Sequence, residues 1–138
     1  MKRFLITLAI ASAMLATTAH AQMGWTLSKC KTVFGQPYEN NEQTYRFWFP
    51  TRQIWLTFDP DGTVGKIDWL KFGHAFSEAE IQQHLREASN VTWRRVEKPE
   101  TSEFDSLFWE GLQIGSVIFE ASEGSNGRGT WFLEIKTR

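Results

Sequence analysis

Cysteine is nearly absent from this chain, since Cys30 is the only one among 138 residues. A single thiol cannot form a disulfide within the chain, so the fold must be stabilised by its core. Cys30 follows Leu27 at helical spacing, and we expect it to be a buried structural thiol. Lys29 directly before it is a poor match to a lipid-attachment motif, so we do not expect lipidation.

Long apolar runs are also scarce. The one such run covers residues 4–15, which is too short to span a bilayer. Lys2 and Arg3 precede it, and the small-x-small pattern of residues 19–21 follows it. This arrangement predicts a signal peptide over residues 1–21 with cleavage after Ala21. We therefore expect a periplasmic or secreted protein without a transmembrane segment, whose residues 22–138 form a single domain.

Basic residues and histidines are too few to indicate nucleic-acid binding or a metal site. Residues 22–138 keep 13 of the 15 basic side chains and all 16 acidic ones, a net charge of −3. No basic stripe is present, so nucleic acid is excluded as an expected partner. The histidines of this part are His74 and His84, and their spacing does not match a metal site. We predict no cofactor or metal, and a structural or surface role for both histidines.

Aromatic residues, in contrast, are abundant and organise the chain. Residues 45–72 contain three runs that alternate apolar and polar side chains, separated by turn signals at residues 50–52 and 59–62. This pattern is typical of an antiparallel three-strand meander. The residues that share its predicted inner face are Tyr45, Phe47, Phe49, Ile54, Leu56, Phe58, Ile67 and Trp69.

The opposite layer of the meander provides the candidate binding residues. It contains Arg46, Trp48, Gln53, Trp55, Thr57, Lys66 and Asp68. Sliding one strand by a residue would bury Lys66 and Asp68 without partners, which favours this register. Tryptophan and arginine are common anchors of protein interfaces, so Arg46, Trp48, Trp55 and Asp68 are predicted to bind a partner. The alternative is that the second half of the chain covers this layer and makes the tryptophans ordinary core.

The remaining elements are predicted from caps and periodicity. Thr26 is a plausible N-cap of a helix that ends at Gly35, and Ser77 begins a capping box that starts a second helix. Strands are predicted over residues 91–97, 106–110, 116–121 and 130–136, with a polar loop at 37–41, an acidic loop at 98–105 and a hairpin tip at 123–129. The predicted fold class is α+β, an antiparallel meander sheet with helices packed on one face. Residues 24–72 and 76–136 would be two loosely similar helix-plus-strands units.

Short motifs in the first half resemble a known family. They are Gly24-Trp25-Thr26, then Val33-Phe34-Gly35-Gln36-Pro37, and the strand-turn-strand of residues 56–64. Over residues 24–70 the chain resembles the SmpA/OmlA outer-membrane-assembly lipoproteins, which share their architecture with β-lactamase-inhibitor-protein-like domains. The resemblance implies a periplasmic, non-enzymatic module that binds proteins through its sheet face or loops. The lipidated cysteine of that family is missing here, and only one helix per unit is found where the inhibitor-like layout has two.

Two other classes of function stay open on the sequence. Carboxylates that could act in a small envelope hydrolase occur on different predicted elements, at Asp59, Asp68, Glu110 and Glu120. The same exposed aromatics that suit a protein partner could instead bind a carbohydrate or envelope polymer. The expected function is binding to another envelope or secreted protein, and these two are the alternatives. Residues 59–62 resemble a calcium loop but lack the ligand positions of one, so we interpret them as a turn.

Overall fold

Strands dominate the structure. The computed structural model of this chain describes residues 22–100 and 106–138, so the predicted signal peptide and residues 101–105 of the acidic loop lie outside the described residues. The helices are α1 (Leu27–Phe34) and α2 (Glu78–Ala88). The strands are β1 (Glu39–Asn41), β2 (Thr44–Phe49), β3 (Arg52–Phe58), β4 (Val64–Phe72), β5 (Thr92–Val96), β6 (Leu107–Gln113), β7 (Ser116–Ser125) and β8 (Thr130–Thr137).

All eight strands form one antiparallel sheet in the order β1-β2-β3-β4-β8-β7-β6-β5. Two four-strand meanders meet side by side where β4 pairs with β8, so the last strand in sequence lies in the middle of the sheet. The predicted α+β class, a meander sheet with helices packed on one face, is wrong. Strands take up 51% of the described residues and helices 17%, which makes this a sheet-dominated fold with two short helices. Local periodicity predicted most strands but could not show that the two meanders share one sheet.

Both helices begin as their caps predict. The Thr26 side chain accepts a hydrogen bond from the Lys29 backbone, and α1 ends at Gly35 with φ +84°, a backbone angle that favours glycine. Ser77 and Glu80 form the predicted capping box of α2, each side chain accepting from the backbone N–H of the other. These local bonds satisfy some of the N–H groups that a helix start leaves unpaired, so both helices start at defined residues.

The register predicted from charge burial is confirmed. Trp55 lies opposite Asp68 and Leu56 lies opposite Ile67, with a bulge only after Thr57 at the end of β3. The predicted inner-face residues are buried or partly buried in one core, which the second meander extends with Trp109, Ala121, Leu133 and Ile135. Removing this apolar area from water is the main stabilising term in a fold without disulfides.

The two faces of the sheet differ in what covers them. On the helix face, the ring of Phe34 in α1 lies 5.6 Å from that of Phe47, and His84 in α2 stacks on Trp69 at 4.2 Å between ring centroids. Cys30 is fully buried there, as predicted, and burial raises the pKa of its thiol to about 11.

No helix within residues 22–100 and 106–138 is long and apolar enough to cross a membrane.

Some element boundaries differ from the prediction. The polar segment expected to be a loop contains β1, because Glu39 and Asn41 pair with the start of the meander. Strand β7 continues to Ser125, so the tip of the last hairpin is shorter than predicted. Polar residues dominate both segments, and their strand conformation depends on pairing with a neighbour rather than on their own alternation.

Candidate functional site

The face opposite the helices, called the open face here, is the candidate site. Its residues are Arg46, Trp48, Gln53, Trp55, Thr57, Lys66, Asp68, Leu70 and Phe72 in the first meander, and Phe108, Glu110, Glu120, Ser122, Phe132, Glu134 and Lys136 in the second. Both described helices lie on the other side. The second meander pairs with the edge of the first and does not stack on this layer. The alternative from the sequence, in which the second half of the chain covers Trp48 and Trp55, is therefore wrong.

An exposed row of aromatic rings marks one end of this face. Tyr38, Trp48 and Phe72 form what we call the aromatic strip, with exposed fractions of 43%, 57% and 44%. The ring centroids of Tyr38 and Trp48 are 5.4 Å apart, and those of Trp48 and Phe72 are 6.5 Å apart. Large apolar side chains that are exposed singly need no explanation, but three adjacent exposed rings form a contiguous apolar patch, which makes them a candidate for binding.

A buried amide holds part of this arrangement in place. Gln53 is buried between the aromatic side chains, and its Oε1 accepts hydrogen bonds of 3.0 Å from Tyr38 Oη and from Trp55 Nε1. An amide oxygen has two lone pairs, so a single atom satisfies both donors. This amide therefore holds the rings of Tyr38 and Trp55 in place.

A shallow groove of about 400 Å³ lies beside the strip. Its lining includes Arg46, Trp55 and Asp68, together with Lys66 and Phe132. The Arg46 guanidinium lies 4.1 Å from the centroid of the Trp55 ring, a cation–π geometry, and covers one side of that ring. The groove thus combines an aromatic floor with charges of both signs.

Ion pairs hold the cations of this groove. Arg46 is bonded to Glu39 of β1 at 2.8 Å. Lys66 Nζ lies 3.4 Å from Asp68 and 3.5 Å from Glu134, the residue opposite Asp68 on β8. Burial raises the pKa of Asp68 to about 6; Lys66 opposes this rise, and the facing Glu134 adds to it. Only 16% of the Asp68 side chain is exposed, in agreement with burial as the main cause of the raised pKa.

The other candidate carboxylates are partly brought together. Glu110 and Glu120 lie directly opposite each other on β6 and β7 and line a second groove of about 160 Å³. Arg94 is bonded to Glu110 at 2.8 Å, and Arg138 approaches Glu120 at 3.4 Å. Asp68 is two strands away from Glu120.

The remaining candidate carboxylate and the two histidines lie apart from one another. Asp59 is exposed on the turn between β3 and β4, and His74 is exposed on the segment before α2. His84 is buried on the helix face, where its Nε2 lies 2.6 Å from an Arg52 guanidinium nitrogen, and so it is not near Asp68. Among the described residues, no three His, Cys, Asp or Glu side chains are placed to hold a metal ion.

Sequence reasoning found part of this site. Arg46, Trp55 and Asp68 share the groove as expected from their common layer, whereas Trp48 belongs to the aromatic strip instead. Tyr38 and Phe72 were missed. Phe72 continues the alternation of Asp68 along β4 and could have been assigned to this layer, but Tyr38 precedes β1 in a segment that was predicted to be a loop.

Comparisons with known proteins add little to this geometry. No protein-family model matches the chain, and no curated protein matches it. A solved structure of a DUF4309 family protein, YjgB from Bacillus subtilis, is similar with a TM-score of 0.43 and 14% sequence identity. That similarity covers 82% of this chain and 78% of the other.

Proposed function

We propose that this protein is an exported, non-enzymatic module that binds another envelope or secreted protein through the open face of its sheet. The observation that carries the proposal is the aromatic strip, three exposed rings in mutual contact beside a groove with paired charges. Export is inferred from the predicted signal peptide, and the resemblance to SmpA/OmlA proteins supports the same kind of activity. In this proposal Cys30 is not lipidated.

The composition of the open face suits a protein partner. Interfaces have an apolar, aromatic centre surrounded by a polar rim, and their binding energy is concentrated in a few tryptophan, tyrosine and arginine residues. Trp48 and Tyr38 would form such a centre, with Arg46 and Asp68 at the rim. Because Gln53 already orders Tyr38, little conformational freedom is lost when a partner covers the strip.

The charged groove adds selectivity to the strip. Lys66, Asp68 and Glu134 form a compact set of alternating charges, and a partner with a mismatched charge pattern would desolvate this set without compensating contacts. Since Glu39 already neutralises Arg46, a partner carboxylate would have to compete for that guanidinium. The apolar strip therefore supplies affinity, and the groove rejects partners of the wrong charge pattern.

Affinity capture from an envelope extract tests the proposal. The bait proteins are the wild type, Trp48→Ala, and Val33→Ala as a control that truncates an exposed apolar residue on α1. We expect a protein that the wild type and Val33→Ala retain but Trp48→Ala loses, with binding of the purified partner weakened about 30-fold, the equivalent of ~2 kcal/mol. Equal retention by all three baits would show that the strip is not the interface.

A carbohydrate or envelope polymer is the second candidate, and the strip itself favours it. Neighbouring exposed rings can each stack on a sugar, and the tilt of 38° between Tyr38 and Trp48 lets them follow a curved chain. Titration with cell-wall glycan fragments, followed by tryptophan fluorescence, distinguishes the two. Two results together would favour a polymer ligand. They are saturable glycan binding that Trp48→Ala abolishes, and a capture experiment in which no protein is retained through Trp48.

A further inference from the structure

The groove of about 160 Å³ on the second meander has two walls of different character. One wall is apolar and contains Val96, Pro99 and Phe108. The other wall is charged, with three carboxylates and one ammonium group among the described residues that line it. These groups belong to Glu110, Glu120, Glu134 and Lys136. An apolar wall that faces carboxylates suits a side chain with a methylene stem and a cationic head.

The groove exists because a small residue lies between larger ones. Ser122 of β7 pairs with Phe108 on one side and with Glu134 on the other. All three side chains project from the open face, so the serine leaves a gap between its neighbours. The space is smaller than the roughly 300–1,000 Å³ of sites that hold a whole small-molecule ligand, and it suits a single side chain.

The two facing carboxylates of this groove can accept a further cation. Glu110 and Glu120 lie directly opposite each other, a cross-strand position in which like charges repel. Their partners Arg94 and Arg138 lie outside the groove lining, with 59% and 55% of their side chains exposed. Exposed ion pairs of this kind contribute little to stability and rearrange easily. The ammonium group of the lining forms its ion pair with Glu134, at 3.4 Å.

We propose that this groove binds an arginine or lysine side chain of the protein that covers the open face. The inference rests on the proposed function, because it takes the partner to be a protein. The methylene stem of the incoming side chain packs on Phe108, and its cationic group lies between Glu110 and Glu120. The aromatic ring of the apolar wall adds attraction for the same cation.

The size of a protein interface brings this groove within reach of that partner. A stable interface covers about 800 Å² of each protein, a patch roughly 30 Å across. The aromatic strip is much smaller, since its neighbouring ring centroids are 5.4 Å and 6.5 Å apart. Strand β2, which carries Trp48, and strand β6, which carries Phe108, are separated by five strand spacings of about 4.8 Å, or about 24 Å. One partner can therefore contact the strip and the groove together.

Other occupants fit the groove less well. Phosphate or an anionic lipid headgroup would be repelled by the carboxylates of the lining. In the part of the chain that the structure describes, no three His, Cys, Asp or Glu side chains are placed to hold a metal ion. The apolar wall would also be wasted on a bare ion, whereas it matches the stem of a basic side chain.

Titration with small probes, followed by amide chemical shifts in NMR spectra, tests the groove before any partner is known. The probes are Nα-acetylarginine methylamide and its citrulline analogue, which has nearly the same shape without the charge. We expect the arginine probe to shift the amides of Phe108 and Ser122 in a saturable way. It should bind about 10-fold more tightly than the citrulline probe, because its hydrogen bonds to carboxylates are charge-assisted.

Four variants locate the binding. Glu120→Gln removes one charge but keeps the shape, so it should weaken the arginine probe about 10-fold. Ser122→Leu fills the gap and should abolish saturable binding, and if that variant does not fold, Glu120→Gln still decides. Asp61→Asn is the matched charge control on an exposed turn, and Trp48→Ala removes the centre of the strip. Both of these should bind the arginine probe like the wild type.

Equal affinity for the two probes, or unchanged affinity of Glu120→Gln for the arginine probe, would overturn the proposal. The protein captured on the wild type should bind Glu120→Gln about 10-fold more weakly and with less dependence on salt, whereas Asp61→Asn should change neither. A captured protein that binds Glu120→Gln like the wild type, or that is a second copy of this chain, would also overturn it. Capture of no protein at all would count against the open-face proposal, and the probe titration separates that failure from a failure of the groove.

Discussion

Replacing Asp68 with asparagine should change how the stability of this protein depends on pH. Asp68 lies on the open face with 16% of its side chain exposed, and burial raises its pKa from 3.8 to about 6. In the unfolded chain the carboxyl group ionises near its ordinary pKa. Between pH 4 and pH 6 the folded state therefore binds more protons than the unfolded state, and the free energy of unfolding falls as pH rises.

The size of this effect follows from the shift. A rise of about two pKa units corresponds to about 3 kcal/mol, which the folded state loses as pH rises through about 6. Asparagine has no charge to desolvate, and Lys66 keeps its contact with Glu134 in the variant. The difference in stability between Asp68→Asn and the wild type should therefore grow in favour of the variant by about 3 kcal/mol from pH 4 to pH 7.

Urea unfolding at several pH values measures this difference directly. Asp61→Asn is a useful control, because Asp61 is exposed and hydrogen bonds from Thr63 lower its pKa. Its stabilising contribution is present above pH 4 and lost at lower pH, so its sign is opposite. A stability difference for Asp68→Asn that does not vary with pH would refute the reasoning. So would an NMR titration that places the Asp68 midpoint at or below pH 4.

Three further substitutions test the packing and the helix. Leu56→Ala should destabilise the fold by ~2–5 kcal/mol because Leu56 is fully buried, as urea unfolding would show. Ser77→Ala should cost ~1 kcal/mol in the same assay through loss of the α2 cap, and a negligible cost would argue against the capping box. Hydrogen bonding from Lys71 lowers the pKa of Glu80 to about 2, so its contribution is present above pH 4.5 and is lost as pH falls towards 2. Acid unfolding of Glu80→Gln should show a shallower loss over that range.

The sequence predicted the local features of this fold because charge and periodicity act locally. Lys66 and Asp68 determined the register of the meander, since burying them on the core side has a large desolvation cost. The same argument would have predicted that Lys71 does not lie on the core side, but its side chain does point to the helix face. It is tolerated there because Glu80 of α2 approaches within 2.7 Å and neutralises it. That partner is nine residues away on another element, and alternation within one strand cannot show it.

The site was predicted only in part for the same reason. Trp48 and Trp55 were assigned to the correct layer by alternation, but the contact of Tyr38 with Trp48 depends on how the segment before β1 folds back. The fold class was wrong because strands take up 51% of the described residues and both helices are short. The pairing of β4 with β8, which joins the two meanders into one sheet, connects residues that are far apart in sequence. Nothing in the alternation of either strand specifies its neighbour, and without that pairing the two meanders could have formed separate layers.

The central place of β8 has a consequence for how this chain folds. During synthesis, which starts at the N-terminus, the first meander can form early, because its contacts are local and only short loops have to close. Until β8 arrives, β4 exposes a long row of unpaired N–H and C=O groups, and such an edge can pair with another molecule. Shortening the C-terminal strand should therefore promote aggregation more than a comparable loss at β1, which is a three-residue strand at the outer edge of the sheet.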